Sequence, residues 1–351
     1  MTDKAKVRII DLLTLIFCIL LYVGFNLFII AQGYNPLKSV ILSFVGVLIN
    51  YVITVFVHEL GHVITARCRG LKTSFVNFGL FTVDFKKKKF YPFTFFGNHA
   101  GKSVFVPAKE IKASDLRIIS ESGIIFQAVT AALFLIAGVI VADVVYYCMF
   151  CIGQVSAIYV FMMNALSARR DGDAAIFDKK SDYAEVLAAC YNTEYKINQG
   201  SIPTEPELIK RDNRPIALYL HYLFTAVNEG RSQAFKVLET IKNTDELTDD
   251  EYAALYPEIV YAACVSGKIE SVKARAQNFF AVADDNEVNV LRAHAAFRIA
   301  SGETQWGEAL KKSYDKVLAA QPAFIKLAEQ ALSASEPGET HRCEDAEEKN
   351  N

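Results

Sequence analysis

The residues whose types and spacing could do chemistry are His58-Glu59-Leu60-Gly61-His62. On a helix, side chains four apart share a face, so His58 and His62 can offer two imidazole nitrogens to one tetrahedral zinc ion. Glu59 falls beside them. A carboxylate there can take a proton from zinc-activated water, whose pKa the metal lowers to about 7, and pass it to a leaving amine. A catalytic zinc keeps three protein ligands and leaves its fourth position open. His99, His221, His294 and His341 are poorly placed to supply the third. A better source is the segment that runs from Asn164 through Arg169 and Arg170 to Asp171-Gly172-Asp173, in which either aspartate can serve.

These groups must be positioned by unusually apolar elements. Four runs carry no Lys, Arg, Asp or Glu and are long enough to cross a bilayer: Leu12 to Ala31, Ser39 to Val57, Ser122 to Ala142 and Val144 to Ala168. A helix rises 1.5 Å per residue and needs roughly 20 apolar residues to span the hydrocarbon core. A soluble helix of that length turns one face to water and carries charge there. All four are therefore expected to span. The first run is longer than the apolar region of a secretory leader and has no small-x-small site before Tyr34-Asn35-Pro36, so retention is expected over cleavage. The second run leads straight into His58. A charge at the centre of a membrane helix costs roughly 2.5–3.5 kcal/mol, which makes ionisable groups there functional candidates.

Basic residues set the orientation, because Lys and Arg stay on the cytoplasmic side. Lys4, Lys6 and Arg8 precede the first run, segment 67–117 carries eleven more, and Arg169 and Arg170 follow the fourth run. The expectation is a multi-pass protein of the cell membrane with both termini and the central loop cytoplasmic. Seven cysteines, an odd number, fit a reducing compartment. Cys148-Met-Phe-Cys151 lies inside an apolar run with no companion pair and reads as packing.

In its motifs the chain resembles the site-2 protease family of intramembrane metalloproteases. That family has a three-helix core with H-E-x-x-H in the first helix and N-x-x-P…D-G in the third. Here His58 to His62 match the first motif in full, and Asn164 with Asp171-Gly172 resembles the second, with Ser167 where the family has Pro and Arg170 before the D-G. The likeness runs from about Ser39 to Asp173. It implies that His58, His62 and Asp171 bind Zn2+, that Glu59 is the general base, and that Asn164 holds the peptide or its developing oxyanion. Asp173 stands close enough to Asp171 to remain an alternative ligand. Glu121-Ser122-Gly123 stands where the family often carries Gly-Pro.

Between the second and third runs, Ser74 to Phe85 and Phe90 to Phe96 are rich in Phe, Val and Thr and predict two strands joined near Lys86 to Lys89, a short membrane-proximal β-hairpin. Such a hairpin can lie at the interface or add an extended substrate to its edge. After Phe177 the pattern becomes polar and helical. Gly230, Gly267 and Gly302 each end one apolar-periodic helix and precede another, at spacings near a tetratricopeptide hairpin. Seven residues beyond each stand Val237, Ala274 and Ala309, where neighbouring hairpins are expected to pack. Thr248-Asp-Asp-Glu251 offers a capping box, and Pro257 predicts a kink or a fresh helix start.

The fold class expected is thus a multi-pass α-helical membrane protein with four transmembrane helices and a three-helix metalloprotease core, followed by an all-α soluble helical-repeat domain. The divisions are an N-terminal helix (1–35), the core (36–177, with loop 67–117), a cytoplasmic repeat domain (178–334) and a disordered tail (335–351). The function expected is zinc-dependent hydrolysis of peptide bonds in membrane-spanning or membrane-associated proteins. Partners are the lipid bilayer, the membrane protein or peptide substrate, and a cytoplasmic protein held by the repeats; no nucleic acid is expected. The alternative is a non-catalytic membrane receptor or scaffold working through the repeats, but a structural site has no need of Glu59 and closes its coordination with a fourth protein ligand. A transporter is disfavoured by the lack of inverted repeats or paired broken helices.

Overall fold

The computed structural model describes residues 3–93, 101–141, 143–166, 176, 182–241, 244, 247, 249–283 and 287–334. The chain forms two compact units, Met1–Tyr191 and Asn192–Asn351. The predicted disordered tail, and Thr248 of the capping box, lie outside the described residues.

The first unit is built from α1 (Asp3–Ala31), α2 (Pro36–Arg69), α3 (Ala113–Val141) and a fourth helical stretch. That stretch starts as a short turn at Val144–Tyr146, passes through a π-helical segment (Tyr147–Cys151) and a 3-10 turn, and ends as α4 (Val155–Leu166). All four are long and apolar enough to cross a membrane. Their residues are distributed inside out. The buried residues of α2 are Ser39, Ser43, Gly46, Asn50, Thr54, Val55, His58, Glu59, Gly61, His62 and Ala66, mostly small or polar, whereas Leu37, Ile41, Phe44 and Leu48 point outward. On α3, Ile140 is 77 % exposed and Gln127 only 4 %. Water would make such a surface very costly. Lipid removes that cost and leaves small and polar residues to hold the helices together. Asn50 shows how: its Nδ2 donates to the carbonyls of Gly46 and Met149, both at 2.8 Å, and Gln154 Nε2 donates to its Oδ1 at 2.6 Å. Met149 lies in the π turn. A Cβ on Gly46 would sit 2.3 Å from its carbonyl oxygen, so glycine permits the approach.

The ends of α2 are fixed locally. Asn35 Oδ1 accepts from the Lys38 amide, Pro36 opens the helix, and Gly70 closes it at φ 91°. The chain then enters a four-stranded antiparallel sheet of order β3-β2-β1-β4, with β1 Leu71–Asn77, β2 Phe81–Asp84, β3 Lys89–Pro92 and β4 Lys102–Pro107. This corrects the predicted hairpin. The lysine run does join two strands, but the segment expected as one strand from Ser74 to Phe85 is split by a tight turn. There Gly79 (φ 85°) donates its amide to Asn77 Oδ1 and Phe78 N donates to Phe81 O. Phe56 of α2 packs on Phe78 and Phe81, with ring centroids 4.9 and 6.3 Å away, so the turn leans on the helix just before His58.

The second unit is helical: the end of α5 (Tyr183–Asn198), α6 (Glu207–Lys210), α7 (Pro215–Glu229), α8 (Arg231–Leu238), α9 (Asp249–Val265), α10 (Lys273–Phe280), α11 (Val288–Ala300), α12 (Thr304–Ala319) and α13 (Ala323–Ser333). Gly230, Gly267 and Gly302 follow α7, α9 and α11 with positive φ, as their spacing suggested. The packing positions differ from expectation. Ala274 and Ala309 are exposed, and the second helices instead bury Ala234 with Leu238, Ala276 with Phe280, and Gly307 with Leu310. Nor does Pro257 start a new helix, because α9 runs through it.

Candidate functional site

His58, Glu59 and His62 lie on the buried face of α2, two to three turns before Gly70, with exposures of 4, 4 and 7 %. Among the described residues they form the one cluster of metal-ligand type, their donor atoms within 4.8 Å of one another. Cys148 and Cys151 are not part of such a cluster. Cys148 is buried beside Ile29 and Ile152, and the Cys151 thiol fills the space a side chain at Gly138 would need. The packing expectation for this pair therefore stands.

Backbone and side chains of α3 set the two imidazoles. His62 Nδ1 lies 2.7 Å from the Ile119 carbonyl, which can only accept, so Nδ1 carries the proton. His58 Nδ1 lies 3.2 Å from Gln127 Oε1, and Gln127 Nε2 donates to the Ala157 carbonyl of α4 at 2.6 Å. That second bond fixes the amide with its oxygen toward His58, whose Nδ1 is then also a donor. In the neutral tautomers both Nε2 atoms present lone pairs, and these face each other at 3.0 Å with the rings edge to face. Two nitrogens at that distance can share one proton in an N–H···N hydrogen bond or turn both lone pairs to a bound cation. Two imidazoles with a carboxylate alongside form a donor set suited to zinc, so the residues present fit the metal.

Space for the pair comes from glycine. A Cβ on Gly123 would lie 2.5 Å from His62 Nε2 and 2.9 Å from His58 Cε1, and one on Gly61 would lie 2.7 Å from the Ser122 carbonyl. The two helices thus meet glycine to backbone at the site. Glu59 is reached from the sheet. Ser103 Oγ of β4 donates to Glu59 Oε2 at 2.5 Å, and Gly101 passes beside Oε1. Arg69 pairs with Asp115 at 3.1 Å and closes α2 against the start of α3.

Of the residues the sequence singled out, His58, Glu59 and His62 come together as spaced. Asn164 falls in the last turn of α4, while Asp171 and Asp173 lie outside the described residues. Gln127, Ser103 and the Ile119 carbonyl escaped sequence reasoning, whereas Gly123 was singled out with Glu121 and Ser122 by the family resemblance. Of the three that escaped, Gln127 alone left a signal, as an amide in the middle of an uncharged run.

Searches of curated proteins and of solved structures give no match. The chain does match peptidase family M50 over residues 46–335, most of its length and the whole of the site. It therefore belongs to peptidase family M50, the site-2 protease family of intramembrane metalloproteases.

Proposed function

We propose that the chain hydrolyses peptide bonds of membrane-spanning or membrane-associated proteins with a zinc ion held by His58, His62 and Asp171. The observation that carries this reading is the Nε2 pair at 3.0 Å with both Nδ1 atoms committed elsewhere and Glu59 alongside. Zinc, when bound, supplies a Lewis acid that polarises the scissile carbonyl and lowers the pKa of water. Glu59 accepts the proton and returns it to the leaving amine. Ser103 holds one carboxylate oxygen, so the base has a single orientation. Asn164 steadies the oxyanion.

Among the described residues β4 pairs with β1 alone, which makes it an edge strand, and its Ser103 touches the base. An extended peptide added to that edge would lie close to Glu59 with its bonds exposed. The basic loop supports cytoplasmic termini. In the helical unit, a groove of about 800 Å³ lined by Tyr219, Tyr252, Arg275, Asn278 and Asn289 suits recruitment of a cytoplasmic partner.

Zinc content of the detergent-purified chain tests the metal assignment. About one zinc per chain is expected, lost in His58→Ala and Asp171→Ala and kept in Asp173→Ala. Catalysis is tested by comparing new protein N-termini in membranes that carry the wild type or Glu59→Gln. A folded wild type that takes up no zinc when supplied with it, or identical N-termini in the two membranes, would refute the reading.

A further inference from the structure

A metal-binding imidazole must be held in one tautomer and one ring orientation, and the group that does so is a second determinant of affinity. For His62 that group is the main-chain carbonyl of Ile119. For His58 it is a side chain, Gln127, 69 residues downstream on another helix. An amide inside an apolar span is costly unless each of its polar atoms finds a partner. Gln127 is 4 % exposed, and its two ends are both used: Oε1 toward His58 Nδ1, Nε2 to the Ala157 carbonyl. Flipping the amide would set its NH2 against the His58 N–H and its oxygen against the Ala157 oxygen. The α4 carbonyl therefore enforces the one orientation in which His58 turns its Nε2 lone pair toward His62.

We infer that Gln127 is the positioning residue of the metal site, a buried amide that fixes the His58 tautomer while joining α2 to α4, the helix that carries Asn164 and leads toward Asp171. This rests on the metal reading of the site proposed above. A role in helix packing alone is the competing explanation, and Asn50 supplies the matched control. Asn50 also bridges α2 to the fourth helical stretch through buried amide hydrogen bonds, two turns from His58, yet it bonds to the Gly46 and Met149 carbonyls and to Gln154, none of them a metal-site residue.

The test titrates Zn2+ alone into the full-length chain in detergent against a chromophoric chelator, and records the visible absorption of the Co2+-loaded protein. Gln127→Leu should weaken zinc binding by about 10- to 100-fold and alter the Co2+ spectrum. Asn50→Leu should leave both unchanged. Gln127→Glu keeps an acceptor toward His58 Nδ1 while losing the donor to Ala157, so it should bind zinc at least as tightly as the wild type. That result also decides the matter if Gln127→Leu does not fold. The inference is overturned if Gln127→Leu binds zinc as the wild type does, if Asn50→Leu loses as much affinity as Gln127→Leu, or if Gln127→Glu is the weaker binder. A wild type with no more affinity than His58→Ala would instead remove the metal reading itself, and every variant would then titrate alike.

Discussion

Ser103 Oγ reaches Glu59 Oε2 across 2.5 Å, linking the second residue of an edge strand to the carboxylate beside the two histidines. A hydrogen bond to a charged group contributes about 1.5–3 kcal/mol. Ser103→Ala is therefore expected to slow cleavage by roughly 10- to 100-fold while zinc content stays at the wild-type level, and Ser103→Thr is expected to restore most of the rate. Cleavage of a substrate recovered from the N-terminus comparison provides the assay. An unchanged rate in Ser103→Ala would remove the serine from the site's machinery.

Gly123 faces the imidazoles so closely that even one methyl group collides with His62 Nε2 and His58 Cε1. Gly123→Ala is expected to reduce zinc occupancy sharply, since the histidines must turn or α3 must withdraw, at a packing cost of about 1–3 kcal/mol. Gly24→Ala is the natural comparison, because a Cβ there meets nothing within 4 Å. Metal analysis of the two variants side by side would show the contrast, and equal zinc in both would contradict the geometry.

What the sequence could show of this site was what lies close together along one helix. His58, Glu59 and His62 are legible because the 3.6-residue period alone puts them on one face. Gln127 and Ser103 reach the same point from 69 and 44 residues away, and no local period encodes such distances. The sheet shows the same limit. Val104-Phe105-Val106 is as strand-like as Phe81-Thr82-Val83, but β4 pairs with β1 some thirty positions upstream, and a hairpin reading looks only to neighbours. In the helical unit the glycines were legible because a positive φ demands them. The buried positions were not, because the angle at which each second helix leaves its turn decides which residue faces inward.

That last point has a direct test. Ala276 is fully buried in α10, whereas Ala274, two residues earlier, is exposed. Ala274→Glu should leave stability within about 0.5 kcal/mol. Ala276→Glu places a carboxylate in the core with no designed partner and should destabilise the unit by several kcal/mol, on the order of 3 or more. Denaturant unfolding followed by the intrinsic fluorescence of Trp306 can compare them, and equal midpoints would overturn the packing described for the hairpins.

Arg292 of α11 is buried between two carboxylates, Glu258 of α9 and Glu329 of α13, with the Tyr261 ring 4.3 Å from its guanidinium carbon. Tyr222 and Tyr314 donate to the carboxylates at 2.8 and 3.0 Å. Burial pushes the Glu258 carboxyl up to about 7, against the pull of Arg292, with Glu329 adding to the rise. Glu194 is likewise raised to about 7 by burial. In the unfolded chain such groups release their protons near pH 4.3. Between roughly pH 4.5 and 7 the folded unit therefore holds protons that the unfolded chain has lost, so stability is greatest at the acidic end, falls as pH rises through about 7, and then levels off. Hydrogen exchange of α7 and α11 amides in the full chain, corrected for intrinsic rates, should show stronger protection at pH 5 than at pH 8. Glu258→Gln keeps acceptors for Tyr222 and Arg292 without the buried charge, so it should reduce that difference chiefly by raising protection at pH 8. A wild type better protected at pH 8, or a glutamine variant with the same pH slope, would mean that Glu258 is ionised in the folded unit throughout this range and that Arg292 outweighs its burial.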